Sequence, residues 1–145
     1  MTHSQKGHFA AKHPPGTTVD SRITAALKQK AEDFSITCIQ AHAVAESLSV
    51  SPRDVGTAID LQEGRIRKCQ LGLFGYGDRG KMVQTAQTIA PDLKTAIESS
   101  QDEKRRLTCI QAWGIADTLS VSRLAVSNAC EALGIKIVDC QLGAF

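Results

Sequence analysis

The sequence predicts a mainly α-helical fold with short β pieces, built as two tandem copies of one unit. Three observations predict it. Residues 36–74 recur as residues 107–145 without a gap, at one offset that carries Cys38 onto Cys109 and Cys69 onto Cys140. Roughly half of the aligned positions are identical, which marks a duplication. Each copy contains two helix-length apolar periodicities bracketed by β-prone pieces. Aromatic residues make up only 4% of the chain, so its cores must be aliphatic.

Residues 1–18 are polar, lack periodicity and contain the Pro14-Pro15-Gly16 break, which predicts a disordered arm. His3, His8 and His13 lie in it, but a floppy segment does not pre-organise a metal site. Asp20 or Ser21 caps a first helix running to about Glu32, with Ile23, Ala26, Leu27 and Ala31 on one face. Its counterpart opens at Pro91, at home in a first helical turn, and sets Leu93, Ala96 and Ile97 on the matching face.

A β-prone piece follows in each copy, Ile36-Thr37-Cys38 and Leu107-Thr108-Cys109. Next come a helix from about Gln40 or Gln111, the turn LSVS, and a second helix from Ser51 or Ser122. Each copy closes on another β-prone piece, residues 66–71 or 137–142. The stretch GLFGYGDRGK after the first copy reads as a small wing or a loop, whereas the second copy stops at Phe145. Residues 81–90 (KMVQTAQTIA) look helical and would join the copies semi-rigidly. The domains expected are therefore 19–75 and 90–145, with a partly helical linker over 76–89.

Val44, Ala45, Leu48, Val50, Val55 and Ala58 fall where two helices joined by a tight turn need apolar or small side chains. Ile115, Ala116, Leu119, Val121, Val126 and Ala129 repeat them one for one. Ala45 and Ala116 mark the crossing, and Ser51 and Ser122 are natural N-caps. With these positions and this order of elements, both copies resemble the winged helix-turn-helix superfamily of bacterial and archaeal regulators. One position departs from the superfamily pattern: the turn glycine is replaced by Ser49 and Ser120, which must accept a left-handed backbone or reshape the turn.

The resemblance implies binding of double-stranded DNA and transcriptional regulation, by paired second helices in a pseudo-dimer or a homodimer. The residues it brings forward are Ser51, Arg53 and Thr57 in the first copy and Ser122, Arg123, Ser127 and Asn128 in the second. Arg reads guanine, Asn reads adenine, and Ser or Thr holds phosphate. Arg65, Arg67 and Lys68 follow the first copy's helix closely and suit flanking phosphates. Local charge divides the copies. Residues 51–81 carry six basic against four acidic side chains, and residues 91–145 carry six against seven. Since neutralising the backbone dominates affinity for DNA, the second copy alone is a poor binder.

Two rival readings stand beside this one. A protein-binding adaptor would use the same helices as an assembly surface. A thiolate sensor would use Cys38, Cys69, Cys109 and Cys140 to hold zinc or an iron–sulfur cluster. Against that sensor, no CxxC is present, and cysteine packs well as a small buried apolar residue. Cys130, whose counterpart is Ile59, reads as core. Gly75, Gly77, Gly80 and Lys81 imitate the start of a phosphate loop, but Met82 stands where a hydroxyl is needed. No repeated nucleophile–base set exists (His42 is matched by Trp113), so an enzyme is not expected, and no resident cofactor is required. No apolar run of membrane-spanning length and no secretion signal occur, and a cytoplasmic location is the expectation.

Overall fold

The computed structural model describes residues 8–145; His3 and the rest of residues 1–7 lie outside the described residues. The chain is mainly helical with a few short strands, and it divides into two compact units. The first holds α1 (Ser21–Lys30), β1 (Ser35–Thr37), α2 (Cys38–Leu48), α3 (Pro52–Leu61) and β2 (Arg65–Arg67). The second repeats the order with α4 (Pro91–Ser100), β3 (Arg106–Thr108), α5 (Cys109–Leu119), α6 (Arg123–Leu133) and β4 (Lys136–Val138).

Local chemistry explains the element starts. Asp20 accepts the Arg22 N–H to open α1, and Pro91 occupies the first turn of α4. Of the faces expected on these helices, Ile23, Leu27, Leu93 and Ile97 are buried, while Ala26, Ala31 and Ala96 are half-buried. Both central helices begin at cysteine rather than near Gln40 and Gln111. Thr37 Oγ1 accepts from Gln40 N at 3.2 Å while Gln40 Oε1 accepts from Thr37 N at 3.0 Å. Thr108 and Gln111 repeat this reciprocal cap. T-x-x-Q is a helix-start signal, and it places the helix boundary at the Thr.

Each central helix ends in a left-handed serine, Ser49 at φ 54° and Ser120 at φ 55°. The left-handed form costs an L-residue roughly 1–2 kcal/mol, and glycine enlarges the unfolded ensemble by about 0.4–1 kcal/mol. Ser49→Gly and Ser120→Gly are therefore each expected to stabilise their unit by up to about 1 kcal/mol, measured by denaturant midpoints; lower midpoints would contradict the strain argument. Behind the turn, Val44, Ala45, Val55 and Ala58 are buried, as are Ile115, Ala116, Val126 and Ala129. Leu48, Val50 and Leu119 are half-buried, and Val121 stays at the surface.

The β-prone pieces pair within each unit, and they pair in parallel: Ile36 opposite Ile66, and Leu107 opposite Ile137. A parallel pair needs a long crossover, here the two intervening helices. The paired central residues are buried, and the flanking Arg65, Arg67, Arg106 and Lys136 are exposed. No strand follows β2 before β3 or follows β4 among the described residues. GLFGYGDRGK is thus a loop with a 3-10 turn at Gly77–Arg79.

Three expectations are corrected. Residues 81–90 form no helix. Their N–H groups find other acceptors: Met82 donates to Gly72 O, Gln84 to Asn128 Oδ1 at 2.8 Å, and Ala86 to Asn128 O at 3.1 Å. The β-branched Thr85, Thr88 and Ile89 disfavour helix, as does Ala90 standing before Pro91.

The second correction concerns the boundaries. The first unit takes in Gln141–Ala144, and the second begins at Gln70. The CQLG segment that follows each closing strand therefore has its glutamine, leucine and glycine in the opposite unit from that strand.

The third concerns the arm. From His8 it is ordered on the first unit, with a 3-10 helix at Phe9–Lys12. Glu63 accepts the Phe9 and Ala10 N–H groups at 2.7 and 3.0 Å, a carboxylate placed at a helical N-terminus. Lys12 Nζ and His13 Nε2 lie 3.0 and 2.9 Å from the buried Asp60 carboxylate. A buried charge needs such partners, and the arm supplies them.

Candidate functional site

The second helix of each pair, α3 in the first unit and α6 in the second, carries most of the residues that the sequence puts forward. Ser51 Oγ accepts from Asp54 N at 3.1 Å, and Ser122 Oγ accepts from Ala125 N at 3.0 Å. Both hydroxyls therefore cap their own helices. On α3, Arg53 is exposed, and Thr57 Oγ1 donates back to Arg53 O at 3.0 Å.

One turn into α3, the helix is covered by the chain itself. Gly56 is buried, and a Cβ built there would stand 1.7 Å from Leu142 O. Leu142 is 2% exposed, and Lys12 Nζ donates to Gly143 O at 3.1 Å. The arm covers the far end of the same helix through Asp60 and Glu63.

On α6 the cover comes from the segment starting at Gln70. Arg123 Nη1 donates to Gln70 Oε1 at 3.2 Å, and its guanidinium lies 3.5 Å from the Trp113 ring centroid. Trp113 is thereby a cover over the unit's edge, stacked by a cation. A Cβ on Gly72 would come within 2.6 Å of Leu124 Cδ1. Ser127 is buried with its hydroxyl on Arg123 O, and Asn128 holds residues 84 and 86. Arg123, Ser127 and Asn128 thus brace the second unit. In the first unit Arg53, Arg65, Arg67 and Lys68 remain exposed.

Cys38 and Cys109 are the first residues of α2 and α5, while Cys69 and Cys140 lie just beyond β2 and β4. Each pair sits within its own unit, all four are buried, and none forms a disulfide. No group of three or more potential metal ligands occurs among the described residues. The Gly75–Lys81 imitation of a phosphate loop has no strand entering it, since β2 ends at Arg67.

Ile39 and Ile110 adjoin Cys38 and Cys109, and sequence suggests that they are buried with them; the structure corrects this, since both stay exposed. They occupy the same position on the two copies and are 47% and 65% exposed. The repeated TCIQA holds the signal: Thr and Gln form the cap, and Cys and Ala are buried. The isoleucine is the exposed apolar member of the motif in both copies. No family model, curated protein or solved structure matches the chain significantly.

Proposed function

We propose that the protein is a protein-binding assembly module built on two winged-helix-like, helix-turn-helix units, and that it does not read DNA with its second helices. The observation that carries this reading is the cover on those helices: Leu142 over Gly56, and Gln70 and residues 84–86 on Arg123 and Asn128. A helix entering the major groove must offer such positions to base edges. Ile39 and Ile110 then give one chain two equivalent apolar docking points, a bivalent arrangement that raises avidity without new contacts.

Titration with mixed-sequence duplex DNA at about 50 and 200 mM salt tests the reading, because phosphate contacts make affinity fall steeply with salt. Affinity no tighter than about 10⁻⁶ M, and insensitive to Arg53→Ala, is the expected result. Tighter, salt-sensitive binding that Arg53→Ala weakens would overturn it. Photo-crosslinking from positions 39 and 110 supplies the positive arm: a partner should be captured, and Ile39→Asp with Ile110→Asp should abolish capture.

A second reading, duplex binding by the first unit alone, is favoured by the exposed Arg65, Arg67 and Lys68. It predicts that replacing all three with Ala lowers the salt slope by about 0.9 for each phosphate no longer neutralised.

A further inference from the structure

We propose that the first unit binds a small aromatic molecule carrying one N–H or O–H donor, in a pocket bounded by α1, the turn before β1 and the end of α3. The pocket measures about 350 Å³, and its apolar walls are Leu27, Ala31, Phe34, Ile36 and Ile59. Concave, mainly apolar sites of roughly 300–1,000 Å³ with few polar groups are the usual form of a small-ligand site.

Phe34 is the unusual wall. It is 75% exposed, and it follows Asp33 in a second successive left-handed conformation, at φ 60° after φ 48°. Positive φ at a bulky residue is an outlier that persists only where the surroundings over-determine it. Here they do: Phe34 O accepts from Arg65 N at 2.7 Å, which extends the strand pairing and pins the ring's backbone at the rim.

The second unit carries different side chains at the corresponding positions. Arg105 occupies the place of Phe34, also left-handed, and its guanidinium caps the Leu133 carbonyl. Ile135, which is 6% exposed, stands where the first unit has Gly64. One copy thus carries a buried isoleucine and an arginine bound to a helix-end carbonyl. The other carries glycine and an exposed aromatic ring at those two positions.

The polar lining sets the ligand's chemistry. Gln62 Nε2 donates to Ala58 O at 3.3 Å, leaving its carbonyl oxygen as an acceptor. Ser35 Oγ already donates to Glu32 O at 2.7 Å, so it too can only accept. Two uncommitted acceptors between apolar walls and an aromatic edge suit a flat ring with a donor. Lys28 and Asp33 stand at the exposed rim.

Indole is the probe, titrated into the full chain and followed by amide NMR shifts. Saturable shifts are expected at residues 27–36 and 59–64, absent from the matching positions of the second unit, with Kd of about 0.1–1 mM for a ligand of this size. 1-Methylindole, which lacks the donor, should bind at least about five-fold more weakly. F34R copies the second unit's cap and should abolish the shifts; F34A, which leaves the pocket open without its aromatic wall, should weaken binding at least about five-fold. No saturable shift up to about 5 mM, equal binding of 1-methylindole, or unchanged binding by a folded F34R protein would each overturn the proposal.

Discussion

Gly56→Ala is expected to destabilise the first unit by about 2 kcal/mol, and to become mildly stabilising once residues 141–145 are removed. Alanine on a helix is ordinarily better than glycine by about 0.5–1 kcal/mol, so the substitution would help an uncovered helix. In the intact chain the added methyl meets Leu142 O at 1.7 Å. That neighbour is backbone, which cannot rotate aside as a side chain can. Overpacking of this kind costs about 1–3 kcal/mol and sometimes more. Leu142, at 2% exposure, must shift or lose its seat. Denaturant unfolding of the four chains in this cycle gives the answer. A penalty of equal size with and without residues 141–145 would mean that the tail is not what Gly56 accommodates.

The covering segments mark where the fold stops being legible from residues alone. The order of helices and strands follows from the duplication and from apolar spacing, because each depends on neighbours a few positions away. The left-handed serines follow in the same way: a tight turn between two helices demands positive φ at one position, whatever residue stands there. Helix starts at Thr37 and Thr108 were readable from T-x-x-Q, a signal lost beneath the β-prone Ile36-Thr37-Cys38. CQLG, however, looks in sequence like the end of a strand. Nothing in its period tells that Gly72 packs on α6 and Leu142 on α3, since those are contacts at long range in the chain. The recurrence of Leu and Gly at that point, with Gly72 and Gly143 at φ 75° and 80°, is the one trace of a packed turn.

The candidate site was legible only as far as chemistry type. Reading Arg123 and Asn128 as base contacts assumed an open helix face. Both side chains have the donors and acceptors that bases would use, and the chain's own segments use them first. Charge counting set the first copy apart, and there the arginines of β2 stay in solvent. The arm shows the reverse failure. Its polar composition predicts disorder, but Lys12 and His13 find a buried carboxylate that periodicity could not announce. Phe34 had no counterpart to draw attention to it, because Arg105 answers the same backbone position with different chemistry.

Stability of the second unit should fall between pH 9 and pH 11, and Cys130→Ala should remove that fall. Cys130 is 1% exposed in the unit's core, where it matches Ile59 of the first copy. Burial disfavours the thiolate and pushes the thiol up from 9.0 to about 11. With the folded pKa above the unfolded one, the folded state binds the extra proton between those values, so the stabilisation is complete below pH 9 and is lost as pH climbs toward 11. Two pH units at about 1.4 kcal/mol each give a loss of about 2–3 kcal/mol. Other groups titrate in the same range, so the quantity to measure is the difference in unfolding free energy between wild type and Cys130→Ala at each pH. The variant starts lower, because a cavity replaces the sulfur, and the two curves should converge as pH rises. Parallel curves would show that the thiol is not held protonated by burial. The same burial makes Cys130 inert to iodoacetamide near pH 8 in the folded chain and reactive on unfolding, since the thiolate is the nucleophile.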